Sequence, residues 1–162
     1  MPEAEWKHIE RKVANWLSEW WYRRKGVLRR SPMSGGWAHS KKMGDIIVDE
    51  SKLREDDPEF PFYVEVKRRK LFSNIFDLWH PQKRTGIWAL FLKTIRLAGQ
   101  DKVAILAVWV KAGQRGRLLL MVDAAAVKEL LGEKYENKFA DWLPIEAQFV
   151  GGVGGKVLTR II

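Results

Sequence analysis

The sequence has no cysteine, which excludes both a disulfide framework and any thiolate metal site. Histidine is scarce. His8, His39 and His80 are the whole supply, and none falls at the spacing of a zinc site. No apolar run reaches the roughly 18 residues of a membrane-spanning helix, so no membrane partner is expected. The opening Met1-Pro2-Glu3-Ala4-Glu5 lacks the basic-then-apolar layout of a secretory signal, and a cytoplasmic placement is expected. Ser-His-Asp and Cys-His arrangements are missing, which removes acyl-transfer chemistry. Gly151-Gly152-Val153-Gly154-Gly155 lacks the Lys-Ser/Thr ending of a phosphate-binding loop. Internal repeats are absent as well.

What is present is a chain of 162 residues, 46% hydrophobic and 30% charged, the size and composition of one globular domain. Its net charge is +9, and the positive charge is clustered. Arg23, Arg24, Lys25, Arg29, Arg30, Lys41 and Lys42 follow one another with no acid between them. Lys67-Arg68-Arg69-Lys70 forms a second group, and Lys83-Arg84 lies beyond. The acids gather instead between Asp49 and Glu59. Basic faces without local neutralisation favour a polyanion, and nucleic acid is the expected partner.

Hydrophobic spacing supplies the elements. Trp6, Ile9, Val13, Trp16, Leu17 and Trp20 recur every three or four residues and predict a helix over Glu3 to Tyr22, stopped by Gly26. Short strands are expected at Val27–Arg30 and Gly44–Val48, with a Ser/Gly/Pro-rich loop between them. Asp49 to Pro61 reads as a long hairpin loop. Phe62, Val64 and Val66 alternate with Tyr63, Glu65 and Lys67 on the clearest strand. Leu71 to Arg84 is irregular, and Ile87 to Ala98 returns to helical spacing before Gly99. Val103 to Val110 is a continuous apolar run, the pattern of a strand covered on both faces. A turn, a partner strand Arg117–Val122 and a short helix capped by Asp123 and closed by Gly132 follow. Lys156 to Ile162 is either a last strand or an arm onto another subunit. The order αβββαββα predicts one α/β domain over 1–150 with a central mixed sheet flanked by helices, and a Gly-rich tail or arm over 151–162.

Chemistry concentrates at Glu65-Val66-Lys67. Side chains two apart on a strand share a face, roughly 7 Å from one another. Glu65 and Lys67 therefore project together. Asp45, at the head of the preceding strand, reaches Glu65 if those two strands pair antiparallel. Two carboxylates held together repel, and a hard divalent cation with oxygen ligands resolves the conflict. Glu-Val-Lys alone reads first as an exposed ion pair, since such triplets occur by chance; the combination with Asp45 in a basic chain is what makes it specific.

In this order, Gly44-Asp45 and Glu65-Val66-Lys67 resemble the signature of the PD-(D/E)xK nuclease superfamily. The similarity to archaeal-type Holliday junction resolvases, including phage-carried ones, extends further. Glu10-Arg11 matches an acid–arginine pair on the first helix, Arg30-Ser31 and Ser34 match an arginine and serine after it, and Trp88–Ala98 matches the aromatic-led helix beyond the Glu-x-Lys strand. The resemblance runs from about Trp6 to Val122. Gly44 stands where proline is common, and Lys93 where related phage proteins often have glutamine. The acidic insertion between the catalytic strands and the stretch Leu71 to Arg84 are longer than usual.

The resemblance implies a restriction-endonuclease-like core with Glu10, Asp45, Glu65 and Lys67 as catalytic residues. Asp45, Glu65 and the Val66 carbonyl would hold Mg²⁺, with Mn²⁺ substituting and Glu10 acting on the metal through water. Helix geometry by itself places Glu10 only at the edge of the apolar stripe. Arg29, Arg30, Ser34, Lys41, Lys42, Arg68 and Arg69 would contact DNA. The implied activity is Mg²⁺-dependent cleavage of branched DNA, a four-way junction first, by a homodimer whose two sites cut opposed strands. The alternatives are another endonuclease of the superfamily, restriction-type or nicking, and a non-catalytic DNA-binding protein. Trp6, Trp16, Trp20, Trp88 and Trp109 are expected in the core. Trp37 and Trp79 stack on bases or bury at an interface.

Overall fold

The computed structural model describes residues 3–32, 43–69, 87–112, 115–148 and 154–162. The expectations for Ser34, Trp37, His39, Lys41, Lys42, Trp79 and His80 lie outside them, as does the Arg69 side chain.

The alternating residues from 62 onward form strand β3 (Phe62–Arg69), preceded by helix α1 (Glu3–Tyr22) and strands β1 (Leu28–Arg30) and β2 (Ile46–Val48). Helix α2 (Ile87–Ala98) then crosses over to β4 (Val103–Ala112), which lies parallel to β3 with Glu65 opposite Leu106. A crossover helix is what a parallel pair requires. Strand β5 (Arg115–Asp123) returns antiparallel. At its end the Asp123 carboxylate accepts a hydrogen bond from the Ala125 N–H at 3.1 Å, capping α3 (Ala124–Ala126), which continues as wider turns to Leu131. Strands β6 (Leu143–Gln148) and β7 (Gly154–Ile161) complete a mixed five-stranded sheet in the order β3-β4-β5-β7-β6. The result is a single α/β domain with a mixed sheet, as the pattern predicts, consistent with the restriction-endonuclease-like core that the resemblance implies.

Both sheet faces are covered, which accounts for the unbroken apolar run in β4. On one face Val64, Val66, Ile105 and Leu120 meet the α1 stripe of Ile9, Val13, Leu17 and Trp21. On the other, Leu106, Val108 and Met121 meet Ile87, Trp88 and Phe91 of α2. Each such large side chain contributes about 1.5–3 kcal/mol on burial.

Three expectations change. Strand β2 does not pair with β3; it pairs antiparallel with β1 in a separate two-stranded sheet, Arg30 opposite Ile46. Asp49–Pro61 is therefore not a hairpin loop, and holds a short 3-10 turn at Glu50–Lys52. Of the two readings of Lys156–Ile162 the last strand holds, since β7 bonds to β5 on one side and β6 on the other, so the fold does not end at residue 150. Trp6, Trp16, Trp20 and Trp109 flank the core half-buried, while Trp21 and Trp142, which helical spacing did not single out, are buried with Trp88.

Candidate active site

Asp45 reaches β3 without a strand ladder. Its N–H donates to the Val64 carbonyl at 2.8 Å, its carbonyl accepts from the Ser31 N–H at 2.7 Å, and its Oδ2 accepts from the Val66 N–H at 2.8 Å. The chain before it permits this approach only through glycine. Gly44 has φ +74°, and a Cβ there would stand 2.6 Å from the Val64 oxygen. The glycine that replaces the common proline is thus required by the backbone contact itself.

Glu65 and Lys67 share one face of β3, as alternation demands, with Glu65 Oε2 3.6 Å from Lys67 Nζ. Glu65 Oε1 accepts a hydrogen bond from the Tyr63 hydroxyl at 2.7 Å. Glu10 is fully buried, and Arg30 Nε donates to its Oε2 at 2.8 Å. The edge-of-stripe position on α1 thus points into the protein.

The electrostatics tie these groups together. Burial pushes the Asp45 carboxyl up to about 7, opposed by the Val66 N–H; the charges of Glu65 and Glu10 add to the rise, and Lys67 opposes it. Glu10, Glu65 and Lys67 therefore all act on Asp45. Burial and the bond to Glu65 hold the Tyr63 hydroxyl protonated far above its ordinary range.

These residues suit a hard cation. Asp45 and Glu65 supply two carboxylates, one of them poorly solvated and raised by its neighbours, and such a group gains from a positive charge. A residue's N–H and C=O leave a strand on the same side, so the Val66 carbonyl opens toward Asp45. Among the described residues no three Asp, Glu or His side chains lie close enough to form a cage on their own. The donors these residues could offer a cation are two carboxylates and a carbonyl, fewer than its full coordination, with the rest left to water.

The predicted basic surface is partly spent. Arg24 clamps Asp57 with both guanidinium ends, Nη1 to Oδ1 at 2.8 Å, and Lys25 stands 3.6 Å from Glu19. With Arg30 held by Glu10, three members of the uninterrupted basic stretch meet acids brought from elsewhere in the chain. Absence of acids in sequence did not mean absence in space. Arg29 is exposed and Arg68 half-buried. Sequence reasoning missed Tyr63 as a site residue, although its alternation with Glu65 and Lys67 already placed it on their face.

No helix among the described residues is long and apolar enough to cross a membrane. No curated protein and no solved structure matches the chain. A family model described as "Phage putative PDDEXK endonuclease" matches residues 7–89, a span that holds Glu10, Asp45, Glu65 and Lys67. The chain belongs to this phage endonuclease family and is a nuclease of the PD-(D/E)xK type.

Proposed function

We propose that the chain is a Mg²⁺-dependent endodeoxyribonuclease acting on branched DNA, with a four-way junction as its leading substrate and a homodimer as its working form. The observation that carries the metal-dependent part is the Asp45 carboxylate, fixed by the Val66 N–H beside Glu65 and raised to about 7. Nucleases of this type typically use divalent metals. Asp45, Glu65 and the Val66 carbonyl would hold the ion, which when bound supplies Lewis-acid activation of the phosphoryl group and of water. Lys67 sits on the same face and offers its ammonium to the attacking water or to the charge that builds on the phosphate. Glu10, locked by Arg30, adds fixed negative charge beneath Asp45 and so favours cation binding.

Branched DNA is supported by the resemblance of the Glu10, Arg30-Ser31 and Glu65-Val66-Lys67 pattern to junction resolvases, and by the net charge of +9. Paired cuts across a junction need two sites related by a twofold axis, hence the dimer. Arg29 and Arg68 are the described residues offered to phosphates, a contact that positions DNA without reading bases.

The test is cleavage of a synthetic four-way junction and a linear duplex of the same sequence, in Mg²⁺, Mn²⁺ and EDTA. Symmetric nicks in the junction alone, lost in EDTA, support the whole reading. Equal cutting of both substrates removes junction selectivity and leaves a general endonuclease of restriction or nicking type. Intact DNA in every condition refutes catalysis and leaves a DNA-binding protein.

A further inference from the structure

Tyr63 is buried to 1% exposure and points its hydroxyl at one oxygen of Glu65, 2.7 Å away. The other oxygen is the one turned toward Lys67, at 3.6 Å. A carboxylate on a strand has several rotamers, and a short charge-assisted bond from a buried donor selects one of them. The buried hydroxyl faces Glu65 rather than solvent. What it can do is decide how Glu65 meets a cation. With Oε1 engaged, Glu65 offers a single oxygen. Small Mg²⁺ demands near-octahedral geometry and takes carboxylates sparingly, whereas Ca²⁺ takes six to eight oxygens and readily accepts both from one carboxylate.

We infer that Tyr63 is a positioning residue that holds Glu65 as a one-oxygen ligand and so biases the site toward Mg²⁺ over Ca²⁺. This rests on the metal-dependent reading above. A residue that merely packs would affect both ions alike; this one opposes Ca²⁺ specifically.

The experiment measures ion binding without DNA, by calorimetry and by the ion-induced rise in melting temperature, for wild type, Tyr63→Phe, Glu65→Gln and the double variant. The phenylalanine ring keeps the packing and removes only the donor. In Tyr63→Phe the ratio of Mg²⁺ to Ca²⁺ affinity should fall by about tenfold, the scale of one lost charged hydrogen bond. In the Glu65→Gln background, Tyr63→Phe should change neither affinity further. An unchanged ratio, or equal weakening of both ions, overturns the role of Tyr63 while the nuclease reading stands. A wild type that binds no divalent ion overturns both. Should Tyr63→Phe fail to fold, the wild type labelled with 3-fluorotyrosine decides the matter, since the chain has only three tyrosines. One fluorine signal must move on adding Mg²⁺ and stay still in Asp45→Asn. If none moves, Tyr63 does not sense the ion.

Discussion

Replacing Asp45 by asparagine should stabilise the metal-free protein at pH 8, although it removes a residue the proposed reaction needs. The carboxyl is raised from 3.8 to about 7, first by burial and then by the charges of Glu65 and Glu10. Between those values the native state binds more protons than the unfolded chain. Stability on this account is full below pH 4 and is lost as pH rises through 7. At roughly 1.4 kcal/mol per unit, the upper limit at pH 8 is about 4 kcal/mol. Asparagine offers the Val66 N–H the same neutral acceptor as the protonated acid, so the bond is already counted in that figure. A gain of up to about 4 kcal/mol is worth on the order of 10 °C in melting temperature for a domain of this size. The assay is thermal unfolding in EDTA at pH 4 and pH 8. The two proteins should melt together at pH 4, and the variant should lead at pH 8. Adding Mg²⁺ at pH 8 should close most of that lead, because an ion at a hundred times its dissociation constant stabilises the wild type by about 2.7 kcal/mol. A variant less stable at pH 8 in EDTA, or stabilised equally at both pH values, would refute the electrostatic argument.

Two other substitutions probe the frame around that carboxylate, and a third, at Gly99, serves as a control. Gly44→Ala sets a Cβ 2.6 Å from the Val64 oxygen in a left-handed conformation, and should cost on the order of 3 kcal/mol in urea unfolding together with all cleavage. Gly99→Ala, with φ +73° and open space around it, should cost only about 1 kcal/mol and leave cleavage intact. Arg30→Met removes the guanidinium from buried Glu10 and should destabilise by about 3–5 kcal/mol. If Arg30 instead served only to bind phosphate, DNA affinity would fall with stability unchanged.

The sequence was most legible where structure is local. Alternation placed Glu65 and Lys67 on one face of β3, spacing gave α1 and α2, and the apolar run announced a strand buried on both faces. Asp45 was the right neighbour for Glu65 by a different route. Antiparallel pairing of β2 with β3 does not occur; one backbone bond and one carboxylate bond bring the residues together, and only the fixed geometry at Gly44 allows it. Glu10 looked marginal because helical periodicity is blind to a partner twenty residues away. The basic stretch looked unopposed for the same reason, since Asp57 and Glu10 meet it only in three dimensions. Strand order at the C-terminal side was hidden too, because a glycine-rich approach carries no periodic signal and β7 earns its place by pairing on both sides.

That placement of β7 has a consequence for how the molecule is made. Residues 154–161 are synthesised after the four other strands of their sheet, yet they lie between β5 and β6 and hold them together. Until they emerge, β5 presents an open apolar edge and β6 has no neighbour on which to settle. Elongation must therefore carry a half-built sheet, and long-range closure of this kind is slow and exposed to aggregation. The segments bearing Asp45, Glu65 and Lys67 leave the ribosome long before that closure. A nascent chain halted before β7 should expose sticky edges rather than a competent cutting centre, and DNA would meet the assembled site only once the sheet had been zipped shut.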